Sequence, residues 1–423
     1  MFGVNPNTMT FKQVFNAEYQ MSHFKQPVYQ ILGDTRFDAG LTKGQTLNRS
    51  YSSDVQVNDM GADGSYSTQA ITDTQESLTV SFEKEASMYI KKLDEMQAHL
   101  PVRQKYAKKL VNALINQIDG DVLLRAYQGA GTIIDNFNLG GTSGDGIVTT
   151  SSNISTIFSL SMEKLIKKNT VYSNARFNGL QAEIPEGMPI AIVPPELLTA
   201  IQLYVGGKDT LGADRVNTNG FSGNFQGFDL FLSNSLAWTG ALVLATQPLD
   251  GDTVTINGVV FTFKTALGVT AGQVLIGASA ATANTNLTAL VNAPSVTTAQ
   301  GVALSVANQR LIKNITATAA AATTTFVSAG WGNVVVAETL TAAADIWTSA
   351  KQQVHAIFGL SKSVTLVVQK DPALEENFVS GKIGKDFIAW AVYGIKVFVD
   401  QSPKIVDVAL QSDTYTAAAQ NPR

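Results

Sequence analysis

Residues 101–128 read Pro101-Val-Arg-Gln-Lys105-Tyr-Ala-Lys-Lys-Leu110-Val-Asn-Ala-Leu-Ile115-Asn-Gln-Ile-Asp-Gly120-Asp-Val-Leu-Leu-Arg125-Ala-Tyr-Gln128. Pro101 suits the first turn of a helix, where its missing N–H costs nothing. Tyr106, Leu110, Ala113, Leu114, Ile118, Val122 and Leu123 then recur at three- and four-residue spacing, which makes one apolar stripe. Gly129-Ala130-Gly131 ends the run. At about 1.5 Å per residue the helix reaches about 42 Å, longer than a small domain is wide. Arg103, Lys105, Lys108 and Lys109 crowd its first turns, and Lys91 and Lys92 precede them. These cations make either a solvated helix face or the docking surface for an acidic hairpin from another subunit.

Such a hairpin lies just upstream. Across residues 46–84, Leu47 to Val57 is polar and β-tolerant, and Gly61-Ala62-Asp63-Gly64-Ser65 marks a tip. Leu78, Val80 and Phe82 alternate on the return. Between Gln45 and Glu83 one basic residue, Arg49, stands against Asp54, Asp59, Asp63, Asp73, Glu76 and Glu83. A two-stranded ribbon this poor in apolar groups is marginal alone and needs a partner surface, preferably a basic one. Residues 1–45 read as an arm. Thr10 and Gln13 make a capping box, with Phe11, Val14, Phe15 and Tyr19 at helical spacing, so one short helix is predicted over residues 10–21. An arm this short cannot bury its own aromatics, and it packs on the body or on a neighbour.

Downstream the pattern is mixed. A helix is predicted over 154–168, a buried strand over 189–193, a helix from Pro195 through Tyr204, and a strand over 228–232. Composition then changes: Gly240 to Asp345 carries only seven charges, namely Asp250, Asp252, Lys264, Arg310, Lys313, Glu338 and Asp345. Inside it, Thr253–Ile256 and Val259–Phe263 flank Asn257-Gly258, the pair that supplies the positive φ values of a type I′ hairpin turn. Leu287, Leu290 and Val291 suggest a helix, and Val302, Leu304 and Val306 a strand. The stretch reads as a separately folding, mostly β insertion. Beyond it, 356–369 holds strand material and Pro372–Asn377 makes a break. Residues 387–399 read as a strand pair around Tyr393-Gly394, and 404–408 as the last strand.

The search for chemistry comes back empty. The chain has no cysteine, which removes disulfides, thiolate nucleophiles and thiolate metal sites. Its three histidines, His23, His99 and His355, form no metal-ligand spacing, and His355 reads as structural. No GxxxxGK[ST] phosphate loop occurs. Gly140–Gly146 reads as a flexible surface loop, Gly381–Lys385 as a turn, Asp250-Gly251-Asp252 as turn chemistry, and Glu375-Glu376 as a solvated helix start. No active site, cofactor or metal is predicted. The 423 residues are 45% apolar and 15% charged, with 30 basic against 34 acidic side chains. That composition is globular and too evenly charged for a phosphate-coating nucleic-acid binder. No run approaches the ~20 apolar residues of a membrane span. The opening MFGVNPNTMTFKQ has no apolar core or basic head, so no secretory signal is expected.

Taken in order, the elements resemble a family. Gly44-Gln-Thr-Leu47, the polar run to Asp73-Thr-Gln-Glu76, Leu78–Glu85 and Leu114–Leu123 are similar to the major capsid proteins of tailed bacteriophages, whose shell fold is known as the HK97 fold. Pro189–Leu198, Gly227–Ser233, Val354–Ser361 and Trp390–Phe398 continue the likeness, which spans roughly 40–236 and 346–410. The resemblance implies an α+β, HK97-like subunit with an N-terminal arm (1–45) and an extended loop (46–84). It implies a peripheral domain with a long spine helix (85–130 and 371–423) and an axial domain (131–236 and 346–370) interrupted by a β-rich insertion domain (237–345). It further implies self-assembly of pentamers and hexamers into an icosahedral shell around double-stranded DNA. The partners it implies are identical subunits, a separate scaffolding protein, a portal protein, DNA on the inner face and decoration proteins, with no membrane. The place it implies is the virion shell, assembled in the host cytoplasm.

Residues 45–83 contain no lysine, which argues against the Lys–Asn crosslinking of one branch of the family. No fused scaffold is evident before the loop. The inter-subunit contact candidates are Asp54, Asp59, Asp63, Asp73 and Glu76 on one side. Lys91, Lys92, Arg103, Lys105, Lys108 and Lys109 stand on the other. A surface-layer, adhesin or filament β-protein is the alternative, suggested by the Thr/Ala-rich insertion.

Overall fold

Gln353–Leu360 is buried at all eight positions, and the larger sheet is built around it. The computed structural model describes residues 27–36, 46–52, 55, 57–92, 102–168, 188–208, 223–330, 334–378 and 381–412, with side chains described from 108 onward in the long helix. On one side of the 353–360 strand lies Ile405–Gln411, antiparallel, followed by Thr132–Ile134, parallel. The other side is shared. Ala237–Val243 pairs at Gln353 and Val354, and Pro189–Val193 at Ile357 to Leu360. Phe228–Leu232 then adds in parallel to the 189–193 strand. The helix Ile154–Lys168 covers this sheet, and its Phe158 meets Phe225, Phe228 and Phe358 edge-on with ring centroids 4.8, 5.9 and 4.9 Å apart.

The second sheet has four strands in the order Gly33–Asp34, Val364–Phe378, Gly384–Lys396 and Phe82–Lys91. The helix Val102–Gly129 runs between the two sheets and packs on both. Leu110, Leu114, Ile118, Val122, Leu123 and Ala126 are its buried stripe. Gly129 and Gly131 are needed for close approach: a Cβ would lie 2.5 Å from Val397 Cβ at the first and 2.6 Å from Ser402 O at the second. The predicted helix over 10–21 lies outside the described residues.

The Asn257-Gly258 turn forms as expected, with φ of 51° and 77° between Thr253–Ile256 and Val259–Lys264. Gln273–Leu275 and Val336–Thr339 extend that hairpin to four strands, and Ala280–Asn292 is the accompanying helix, capped by Ser279. The stretch is nevertheless joined to the rest. Its Ile315–Ala320 and Thr323–Ala329 hairpin pairs along the whole of Ala237–Val243, and that strand of the same stretch pairs in turn with Gln353 and Val354, which widens the central sheet. Val254, Phe261 and Leu287 belong to the same continuous core as Ile357. The stretch and the rest of the chain therefore share one sheet.

Five local expectations also change. Val302-Leu304-Val306 is no strand: Ser305 caps a helix over Val306–Leu311, its Oγ accepting from Asn308 N. Val364–Phe378 runs through Pro372 as one strand, with register shifts at Lys370 that place the proline in an irregularity, where its missing N–H breaks no ladder. Glu375 and Glu376 are therefore strand residues, bonded to Trp390 Nε1 (2.8 Å) and Lys385 Nζ (3.0 Å). Gly384–Lys396 is likewise a single strand through Tyr393-Gly394. The 140–146 loop is fastened: Gly144 N donates to Asp135 (2.6 Å), Gln353 Nε2 to Gly144 O (2.8 Å), and Lys351 pairs with Asp145 (2.8 Å).

Candidate inter-subunit surfaces

Thr46–Ser52 and Asp73–Thr79 pair in register from Thr46↔Thr79 to Ser52↔Asp73, which makes the ribbon that the turn signals predicted. Its root is seated on the second sheet, where Leu78 and Val80 are buried with Val367 and Phe398. The outer part has no such seat. Val57 is 99% exposed and Tyr66 83%, and Val55, Met60 and Ile71 are exposed with them. Apolar side chains gathered on an uncovered projection mark a contact surface. The tip is ordered by its own turn: Asp63 Oδ1 accepts from Ser65 Oγ (2.7 Å) and Ser65 N (3.1 Å), bonds that hold its carboxyl below the ordinary range.

The acidic candidates divide. Asp59, Asp63 and Asp73 stand exposed on the ribbon, with Asp73 accepting from Ser52 Oγ at 2.6 Å. Glu76 turns inward instead. Its Oε2 accepts from Val399 N (3.1 Å) and its Oε1 lies 3.7 Å from Lys396 Nζ, so it binds the ribbon to its own chain. Asp54 lies outside the described residues.

The basic candidates also fall into two places. Lys108 and Lys109 are exposed on the long helix, which also carries Arg103 and Lys105. Lys91 and Lys92 are exposed at the end of the 82–91 strand, where Lys92 N bonds Ile383 O (3.2 Å). There the tip of the 364–378/384–396 hairpin presents Phe378, 84% exposed, and Ile383.

Sequence reasoning missed a set of buried polar fasteners on the long helix. Asp119 accepts from Val28 N and Tyr29 N, both at 2.8 Å, and caps the short helix Tyr29–Leu32. Asp121 accepts from Tyr393 Oη in the second sheet. Tyr127 lies on His355, with ring centroids 3.9 Å apart. The unusual Asp119-Gly120-Asp121 inside an apolar stripe was the available signal. At the arm, burial works to raise the Asp34 carboxyl. The Arg36 fork (2.7–2.9 Å) outweighs it and leaves the group below its usual range.

His355 has a relay-like setting, with Nδ1 2.9 Å from Asp407 and Nε2 2.8 Å from Thr239 Oγ1. All three side chains are buried, and Thr239 lies within the 237–243 strand. A nucleophile shut into a packed sheet has no route to substrate, so the arrangement ties three strands and a helix together. Among the described residues no cluster of three metal-ligating side chains occurs, and no helix is long and apolar enough to cross a membrane.

No protein-family model and no curated protein matches the chain. Solved structures do. One from Mycobacterium phage Che8 aligns with TM-score 0.54 and 13% identity over 94% of this chain and 97% of that one. The capsid of the Cyanophage P-SCSP1u aligns at 0.49 and 12% over 97% and 94%. The Cyanophage Pam1 capsid asymmetric unit aligns at 0.49 and 8% over 98% and 100%. The first of these shows a shared mixed α+β fold across nearly the full length of both chains.

Proposed function

We propose that the chain is a major capsid protein of a tailed bacteriophage, assembling with identical copies into an icosahedral shell around double-stranded DNA. The observation that carries this reading is the 55–72 projection, whose apolar side chains its own chain leaves uncovered, on a fold shared end to end with a phage protein. A shell subunit gains stability by laying extended segments on neighbours, and opposite charges fix their register. On this reading the ribbon is the extended loop. The long helix with the four-stranded sheet is the peripheral domain, the central sheet is the axial domain, and 237–345 is its insertion. Identical subunits are the first partners, with a separate scaffolding protein, a portal, packaged DNA and decoration proteins as the further ones. The reading assigns the chain no catalysis and places it in the virion shell.

Asp59, Asp63 and Asp73 then lie across the basic start of a neighbour's long helix. Charge reversal at Lys105, Lys108 and Lys109 is expected to abolish shells, seen by negative-stain microscopy and sedimentation, while leaving the circular dichroism of the subunit intact. Shell yield equal to that of the unmodified chain, with and without a scaffold, overturns the docking assignment. A chain that stays monomeric under every condition overturns the capsid reading.

A further inference from the structure

Arg49 and Glu76 face each other across the ribbon, and each takes its ionic partner from the body. Arg49 forks onto Asp400 through Nη1 (3.0 Å) and Nη2 (2.6 Å), and Glu76 holds Lys396 and Val399 N. Lys396 Nζ also donates to Ser77 O at 2.8 Å. Both cations lie 5.2 Å from the centroid of the same Phe398 ring. Each of the two cations at that ring is paired with an anion, Arg49 with Asp400 and Lys396 with Glu76. All are partly open to solvent, from 17% for Glu76 to 48% for Asp400. Beside them the ribbon's Leu78 and Val80 are buried in an apolar seat, and beyond them residues 57–72 are exposed throughout.

We propose that this quartet is an electrostatic latch that sets the direction of the ribbon and releases it when the charges are screened. The apolar seat fixes where the ribbon leaves the body but, being non-directional, does not fix its angle. The forked Arg49–Asp400 pair, which is geometrically specific, does. Because the pairs are solvent-accessible, salt weakens them: the screening length falls from about 10 Å at 0.1 M to about 3 Å at 1 M. A small turn at the root swings the long exposed tip, so the latch decides where the ribbon is presented. That its target is a second copy rests on the capsid reading; the latch itself does not.

The absence of cysteine makes the test direct. Spin labels at Thr68→Cys on the ribbon and Thr156→Cys on the body report their separation in the unassembled full-length chain. A narrow distance distribution is expected at low salt. It should broaden in 1 M salt, broaden at low salt in the Arg49→Gln/Glu76→Gln variant, and narrow again in the variant that reverses all four charges, Arg49→Glu/Glu76→Arg/Lys396→Glu/Asp400→Lys. Equal widths throughout overturn the latch, as does broadening that the swap fails to reverse. Should the uncharged variant fail to fold, the salt series on the unaltered quartet decides. Shell formation is scored separately, so a chain that forms no shells refutes the capsid reading without touching this measurement.

Discussion

Tyr393 Oη donates a 2.6 Å hydrogen bond to Asp121 Oδ2, joining the interior of the four-stranded sheet to the long helix. Tyr393 is fully buried and Asp121 nearly so, and Asp121 also accepts from Gln117 Nε2 at 3.0 Å. The sheet also carries the root of the ribbon, so this bond helps set where that root stands relative to the helix.

Tyr393→Phe keeps the ring, its 5.2 Å stacking on Phe82 and nearly all the buried area. It leaves a buried carboxylate short of one donor. Removing a hydrogen bond to a charged group costs about 1.5–3 kcal/mol. Urea unfolding of the subunit should show that loss at an unchanged m-value. A midpoint shift worth less than about 0.5 kcal/mol would mean that Asp121 finds water instead.

Asp119→Ala should act locally. Its Oδ1 accepts from both Val28 N and Tyr29 N, at the start of a four-residue helix whose N-cap, Val28, offers no side-chain cap. A lost cap costs about 1–2 kcal/mol. Amide exchange at Val28 and Tyr29 is expected to accelerate at least tenfold, while the 353–360 strand keeps its protection. Equal acceleration in both places would make Asp119 a general core residue.

Tyr127 gives a pH prediction. Burial, reinforced by the nearby Asp407 charge, pushes its phenol up to about 12. An unfolded tyrosine loses its proton near 10. With the folded value raised, the unfolded chain ionises first, so stability is full below pH 10 and falls as pH rises from 10 toward 12. Tyr393 is raised in the same sense by burial and by Asp121. Tyr127→Phe should flatten part of that alkaline slope in denaturation series, and an unchanged slope would refute the assignment.

What was legible in the sequence follows from how far each signal reaches. The stripe from Leu110 to Leu123 and the Asn257-Gly258 turn are local, and both form. Pro372 was read as a break because local rules know nothing of the partner strand 384–396, whose register shifts accommodate it. The 237–345 stretch stands apart by composition, yet its own strand Ala237–Val243 pairs with Gln353 and Val354, a contact between distant segments that composition does not show. Among the contact candidates, Glu76 was grouped by charge with Asp59 and Asp63, although its partner Lys396 lies far along the chain. Ion pairs between distant segments leave no periodic trace. Arg49, alone among acids, was the single hint of the latch.

The sequence suggests two strands around Tyr393-Gly394, but a single strand runs through, and the place of the glycine in it is steric. A Cβ there would stand 2.8 Å from Leu78 Cδ2, 3.0 Å from Thr79 O and 3.1 Å from Val80 Cα, within the seat of the ribbon. The φ of Gly394 is not positive, so Gly394→Ala adds bulk without backbone strain. Overpacking of this kind costs about 1–3 kcal/mol, and here the displaced part is the root of a lever. Thermal unfolding should report the loss, and the spin-label distance from Thr68→Cys to Thr156→Cys should shift its mean. Pairing the change with Leu78→Ala opens space at the closest contact, though the backbone contacts at Thr79 and Val80 remain. The double variant should therefore be less destabilised than the sum of the singles by at least about 0.5 kcal/mol. Strict additivity would show that the added methyl is absorbed elsewhere and that Gly394 does not govern the seat.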